Sequence, residues 1–162
     1  MTAEKLADQI LAASHGDPDE AEARLLVLNE RRRQARYACY YEPAGDQRQL
    51  WERLTPEHHI ILLLGGNGSG KSLTGEWFTA TFLLGKEFFK DEPCWKWVEA
   101  LPIPTAPANV RIVALNTDML RDPIWDGLFG SATHPPMIPV DMVVQKSDQH
   151  FTASLKNGSR IQ

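Results

Sequence analysis

The chain has 162 residues, 43% of them hydrophobic, and a net charge of −4, which is enough material for one packed core. No apolar run is long enough to span a membrane. Its first twenty residues, with Glu4, Asp8, Asp17, Asp19 and Glu20, lack the basic start and apolar centre of a secretory signal. The charge neither favours nor excludes a nucleic-acid partner, because a local basic patch can act within an acidic chain. The two cysteines, Cys39 and Cys94, lack metal-ligand spacing. A disulfide framework is not expected, and two small buried apolar groups in a reducing compartment are.

Ala3 to Ser14 reads as a short helix with Leu6, Ile10 and Ala13 on one face. His15-Gly16-Asp17-Pro18 interrupts it. Asp17 is suited to cap a second helix and Pro18 to open it. That helix is expected to run to about Tyr40, carrying Arg24, Arg31, Arg32, Arg33 and Arg36. These arginines could meet a phosphate backbone. The simpler reading is a solvated face paired with Glu20, Glu22 and Glu30. Tyr41 to Gln47 is turn-rich, and a helix follows through Leu50, Trp51 and Leu54.

The most informative stretch is Ile60-Ile61-Leu62-Leu63-Leu64-Gly65-Gly66-Asn67-Gly68-Ser69-Gly70-Lys71-Ser72. An apolar run, as expected of a buried parallel strand, leads into the pattern G-x-x-x-x-G-K-[ST]. Leu73, Trp77, Ala80, Thr81 and Leu84 then recur at helical spacing, and Gly85 is a plausible stop. Glycines remove the side chains that would keep backbone N–H groups away from a phosphate chain. The helix start adds free N–H groups and a favourable dipole. The expected nucleotide site is therefore Gly65, Gly66, Asn67, Gly68, Ser69, Gly70, Lys71, Ser72 and Leu73. Lys71 would stabilise charge on the transferred phosphoryl, and the Ser72 hydroxyl would ligate Mg²⁺ held with ATP. Upstream, Gln47, and after it Gln49, could offer an amide donor and acceptor to an adenine edge. A helix-capping turn is the competing reading.

Lys86 to Leu101 is rich in aromatics (Phe88, Phe89, Trp95 and Trp97) expected to pack on the core, and Pro102, Pro104 and Pro107 form an extended linker. Val110 to Leu115 reads as a second strand. Asn116-Thr117-Asp118 would cap a helix through Leu120, Ile124, Trp125 and Leu128. Val140 to Gln145 reads as a third strand, His150 to Leu155 alternates loosely, and Asn157-Gly158 signals a hairpin. A hydrolase of this type needs an apolar strand ending in a carboxylate. None is present in that form. Asp118 lies past its strand, and Asp141 precedes its apolar pair. The five histidines show no ligand spacing. Arg111, Arg121 and Arg160 are the arginines available for contacts to a neighbouring subunit.

Four stretches together resemble the N-terminal ATPase part of the large terminase subunit of tailed bacteriophages. Tyr41-x-Pro43-x3-Gln47-x2-Leu50 is similar to that family's adenine-binding motif. Gly65 to Ser72 resembles its G-G-N-R-S-G-K-T loop, with Gly68 where arginine is frequent. Val110 to Asp122 resembles the strand and helix that follow, and Asn157-Gly158-Ser159-x-Ile161 resembles its hairpin. The resemblance covers Tyr41 to Gln162. It implies an α/β P-loop NTPase fold of the RecA-like, additional-strand type: a mostly parallel sheet flanked by helices, incomplete here, in a partial ATPase domain over 41–162 behind a helical segment over 1–40. It also implies ATP-driven movement of double-stranded DNA into a procapsid in the host cytoplasm, away from membranes. The implied partners are a portal protein, a small terminase subunit and further copies in a ring. The second carboxylate and the nuclease would lie beyond Gln162, leaving this piece able to bind ATP but not to turn it over. Another DNA-dependent ATPase such as a helicase, a small-molecule or nucleoside kinase, and a nucleotide-binding module without hydrolysis are the alternatives.

Overall fold

The computed structural model describes residues 12–14, 17–53, 70–105 and 107–162. The strand expected over Ile60–Leu64, loop residues Gly65 to Ser69, His15, His58, His59 and most of the helix expected over Ala3–Ser14 lie outside them. The chain divides into two compact units, Met1–Gln34 and Ala35–Gln162.

The first unit is built on helix α1, Pro18–Ala35. Its start follows the local chemistry. Asp17 Oδ1 accepts hydrogen bonds from the backbone N–H groups of Asp19 at 3.0 Å and Glu20 at 3.5 Å, covering donors that a helix start leaves open. Arg24 pairs with Glu20 one turn earlier at 2.6 Å, as the solvated-face reading expects. Arg31 to Arg33 are exposed, as are Leu26, Val27 and Leu28. The helix stops at Ala35, short of Tyr40, because Arg36 leaves helical geometry at φ −131° and ψ 48°. Tyr37–Tyr40 then forms one tight 3₁₀ turn, and its Ala38 and Cys39 belong to the buried core of the second unit.

The second unit is mixed α/β, and its described residues form a small four-stranded sheet flanked by helices. After α2 (Gly45–Arg53) come the long helix α3 (Lys71–Leu84) and the short α4 (Trp95–Val98). Strand β1 (Asn109–Val110) is followed by α5 (Thr117–Met119), a kinked turn and α6 (Asp126–Phe129). Strands β2 (Val143–Ser147), β3 (Thr152–Leu155) and β4 (Arg160–Ile161) close the unit. The order across the sheet is β1-β4-β3-β2. Only β1 and β4 run parallel, with Val110 opposite Ile161; β2–β3 and β3–β4 are antiparallel. The expectation of a mostly parallel sheet is corrected for the described strands. The cause is connection length: β2, β3 and β4 follow one another through short turns, and short turns return the chain antiparallel.

Helix α3 is the axis of the core. Thr74, Trp77, Ala80, Thr81, Leu83 and Leu84 are buried, a wide stripe that contacts the Tyr37–Tyr40 turn, α6 and β1. Trp77 is fully buried and stacked on Tyr41 with ring centroids 5.1 Å apart, and its indole N–H donates to the Ala38 carbonyl at 2.9 Å. Truncating such a residue costs about 3–5 kcal/mol. Phe89, Cys94, Val98 and Leu101 pack into the same core, with Phe88, Trp95 and Trp97 half-buried beside it; the aromatics of this stretch do pack. Both cysteines are buried and neither is in a disulfide.

Two strands differ from expectation. The ladder of Val110–Leu115 survives only at its start, closed by Gln162 N–H to Val110 O and Ile112 N–H to Gln162 O. Val113 and Leu115 are exposed. The strand expected from Val140 begins at Val143, since Val140–Met142 first makes a 3₁₀ turn after Pro139. Asn116 caps the next helix as expected, its side chain accepting from Met119 N–H at 2.9 Å. Asp118 is exposed in that first turn. Among the described residues, no helix is long and apolar enough to cross a membrane.

Candidate functional site

The start of α3 is set by Gly70, at φ +76° and ψ 15°. That left-handed conformation is one most residues avoid. Its carbonyl accepts three hydrogen bonds: from Thr74 N–H at 2.9 Å, from the Thr74 hydroxyl at 2.8 Å and from Gln47 Nε2 at 3.4 Å. Tyr41 completes the cluster. Its hydroxyl lies 2.9 Å from Gln47 Oε1 and 3.2 Å from Thr74 Oγ1. Burial pushes the Tyr41 phenol up, with the Thr74 contact opposing, so it remains a neutral donor.

Gln47 and Gly70 are far apart in sequence, and the fold brings them together. A side chain at Gly70 would meet Gln47 Nε2 at 2.5 Å. Gln47 Oε1 also accepts from Ala44 N–H at 2.8 Å. Both lone pairs of that oxygen are therefore engaged within the chain, and one amide hydrogen of Nε2 remains for a base edge. Gln47 closes a capping turn and touches Gly70 at once. Gln49 is exposed.

Beyond Gly70 the helix presents Lys71, half-buried, Ser72, exposed, and Leu73, half-buried. They form one wall of a cleft of about 560 Å³, with Glu76, Pro123, Gly127 and His134 elsewhere on its lining. That volume suits a nucleotide-sized ligand. The N–H groups of a first helical turn have no partner within the helix and favour an anion. Arg111, Arg121 and Arg160 are exposed and stand outside this lining.

Glu76 belongs to this site, and no motif in the sequence announces it. The residue is only 7% exposed and has no hydrogen-bond or ion-pair partner among the described residues. Burial, helped by the negative charge of Asp122, pushes its carboxyl up to about 7. Its carboxylate lies against the bare backbone of Gly127, where an added Cβ would stand 2.2 Å from Oε2.

No family model, no curated protein and no solved structure matches the chain. What the site can hold is therefore judged from its own donor set. An anion-favouring helix start, a lysine, a serine hydroxyl and an unpartnered buried carboxylate fit a phosphate accompanied by a hard divalent cation, which prefers oxygen ligands. Among the described residues no group of three or more His, Cys, Asp or Glu could hold a metal by itself.

Proposed function

We propose that this chain binds Mg²⁺–ATP at the start of α3, as the nucleotide-binding part of a DNA-packaging ATPase similar to the large terminase subunit. The observation that carries the reading is the Gln47–Gly70 contact, which joins the upstream glutamine stretch to the last glycine of the phosphate-loop pattern. A capping turn alone would have no need to meet that glycine. On this reading the N–H groups of the first turn hold phosphate oxygens, Lys71 neutralises charge at the transferred phosphoryl, and the Ser72 hydroxyl is one oxygen ligand of the cation. Bound Mg²⁺ supplies neutralisation of the phosphate charge. Movement of double-stranded DNA, assembly into a ring, and the portal and small-subunit partners follow from the family resemblance and are proposed with it.

The direct test is calorimetric titration of ATP with Mg²⁺ into the chain and into Lys71→Ala. Loss of a charge-assisted phosphate contact should weaken binding by about tenfold or more, or roughly 1.5–3 kcal/mol. The thermal midpoint should hold. Equal affinity of the two proteins would remove Lys71 from the site.

A further inference from the structure

We infer that Glu76 is a second protein oxygen ligand for the divalent cation of this cleft, working from the same helix face as Ser72. The inference rests on the nucleotide reading of the cleft and goes beyond the phosphate-loop pattern, which assigns no role to this position.

Three observations converge on it. The first is the state of the side chain. Glutamate is rarely buried unless paired, and a buried charge without a partner is costly. Glu76 is 7% exposed and unpartnered among the described residues, yet it lines the same cleft as Lys71 and Ser72. Asp122 adds a second negative charge from the kinked segment opposite. A cation would relieve both.

The second is register. Ser72 and Glu76 are four residues apart in one continuous helix, so their side chains stand one above the other, with Cβ atoms about 5–6 Å apart. Side chains on a helix lean toward its N-terminus. Glu76 thus leans toward the turn that carries Ser72, where a phosphate-bound cation would sit.

The third is the seat. Gly127 leaves room that its Cβ would fill, at 2.2, 2.4 and 2.9 Å from Oε2, Cδ and Oε1 of Glu76. The space beside α6 is shaped around a carboxylate, and any larger residue at 127 would displace it.

The experiment compares ATP affinity with excess Mg²⁺ and with EDTA for the unaltered chain, Glu76→Gln and Gly127→Ala, with circular dichroism as the check of folding. Mg²⁺ should tighten ATP binding by the unaltered chain. Both variants should lose about tenfold of that gain, while their affinity in EDTA stays equal or rises, because a negative charge near the phosphates has gone or moved. Gly127→Ala retains the glutamate and displaces only its carboxylate, so it reads out the site even if Glu76→Gln folds poorly. An undiminished Mg²⁺ gain in both variants would overturn the inference. ATP binding by the unaltered chain with no Mg²⁺ gain would overturn it too, leaving the nucleotide reading intact. No ATP binding under either condition would fell the nucleotide reading and this inference together.

Discussion

The two ends of helix α3 are finished in opposite ways. At its C-terminal end the protein satisfies its own backbone. Asn157, at the β3–β4 turn, donates both hydrogens of its amide, to Leu83 O at 2.8 Å and Leu84 O at 3.0 Å. Its Oδ1 accepts from Ser159 N–H at 3.1 Å, and Ser159 Oγ accepts from Ala108 N–H at 3.0 Å. Gly158 turns the chain at φ +87°, and Gly85 ends the helix at φ +80°. At the N-terminal end, side chains converge on the Gly70 carbonyl, and Gly70 itself brings no side chain to cap the first turn. The contrast separates two kinds of motif. Asn157-Gly158-Ser159 is explained by what it holds within the chain; Gly70-Lys71-Ser72 lines a cleft.

The largest effect that would sharpen this contrast lies at Glu76. Its folded pKa of about 7 stands above the ordinary 4.5, so between those values the folded chain binds more protons than the unfolded one. Stability from this group is present below about pH 4.5 and is lost as pH rises through 7, by up to roughly 3 kcal/mol. Among the described residues, Asp122 opposes its ionisation, and the side chains of Lys71 and His134 share its cleft. In the absence of Mg²⁺, Glu76→Gln should be more stable at pH 8 and should flatten the pH dependence. Urea titrations at pH 5 and pH 8 measure both. A variant that keeps the slope would show that the carboxylate is neutralised by another route.

The opposite end should respond to truncation in the opposite sense. Asn157→Ala strips two carbonyls of their donor and loosens the turn, so unfolding free energy should fall by about 1–3 kcal/mol. ATP affinity should not move. A large loss of affinity without loss of stability would break the separation between the ends. The smallest effect belongs to Gln47. Its alanine variant loses hydrogen bonds at the Tyr41 cluster, worth about 1 kcal/mol, and should narrow any preference for ATP over GTP. An unchanged ratio in a folded variant would leave Gln47 with only its capping role.

What the sequence discloses here is local. Asp17 as a cap, Gly85 as a stop, Asn116 as a second cap and Asn157-Gly158 as a turn are all visible, because each acts on residues within one or two turns of itself. Strand extents are less visible. Val110–Leu115 is apolar apart from Arg111, but only Asn109–Val110 pairs with β4; Val140 is apolar too, but a 3₁₀ turn after Pro139 claims it. The nucleotide pattern is legible at Gly70 to Leu73, and Gln47 can be guessed from its position upstream. Glu76 cannot. A glutamate in the second turn of a helix looks solvated, and its burial depends on a glycine from α6 that only the tertiary fold delivers.

The two buried cysteines give the chain a built-in clock. Cys39 and Cys94 are its only thiols, both essentially inaccessible, and the Cys94 N–H is bonded to the Cys39 carbonyl at 3.0 Å. Burial pushes the Cys94 thiol up to about 12, and it is the thiolate that reacts. Alkylation therefore has to wait for the core around α3 to open. The interval before a reagent captures these sulfurs measures how often that happens, with no label added to the protein.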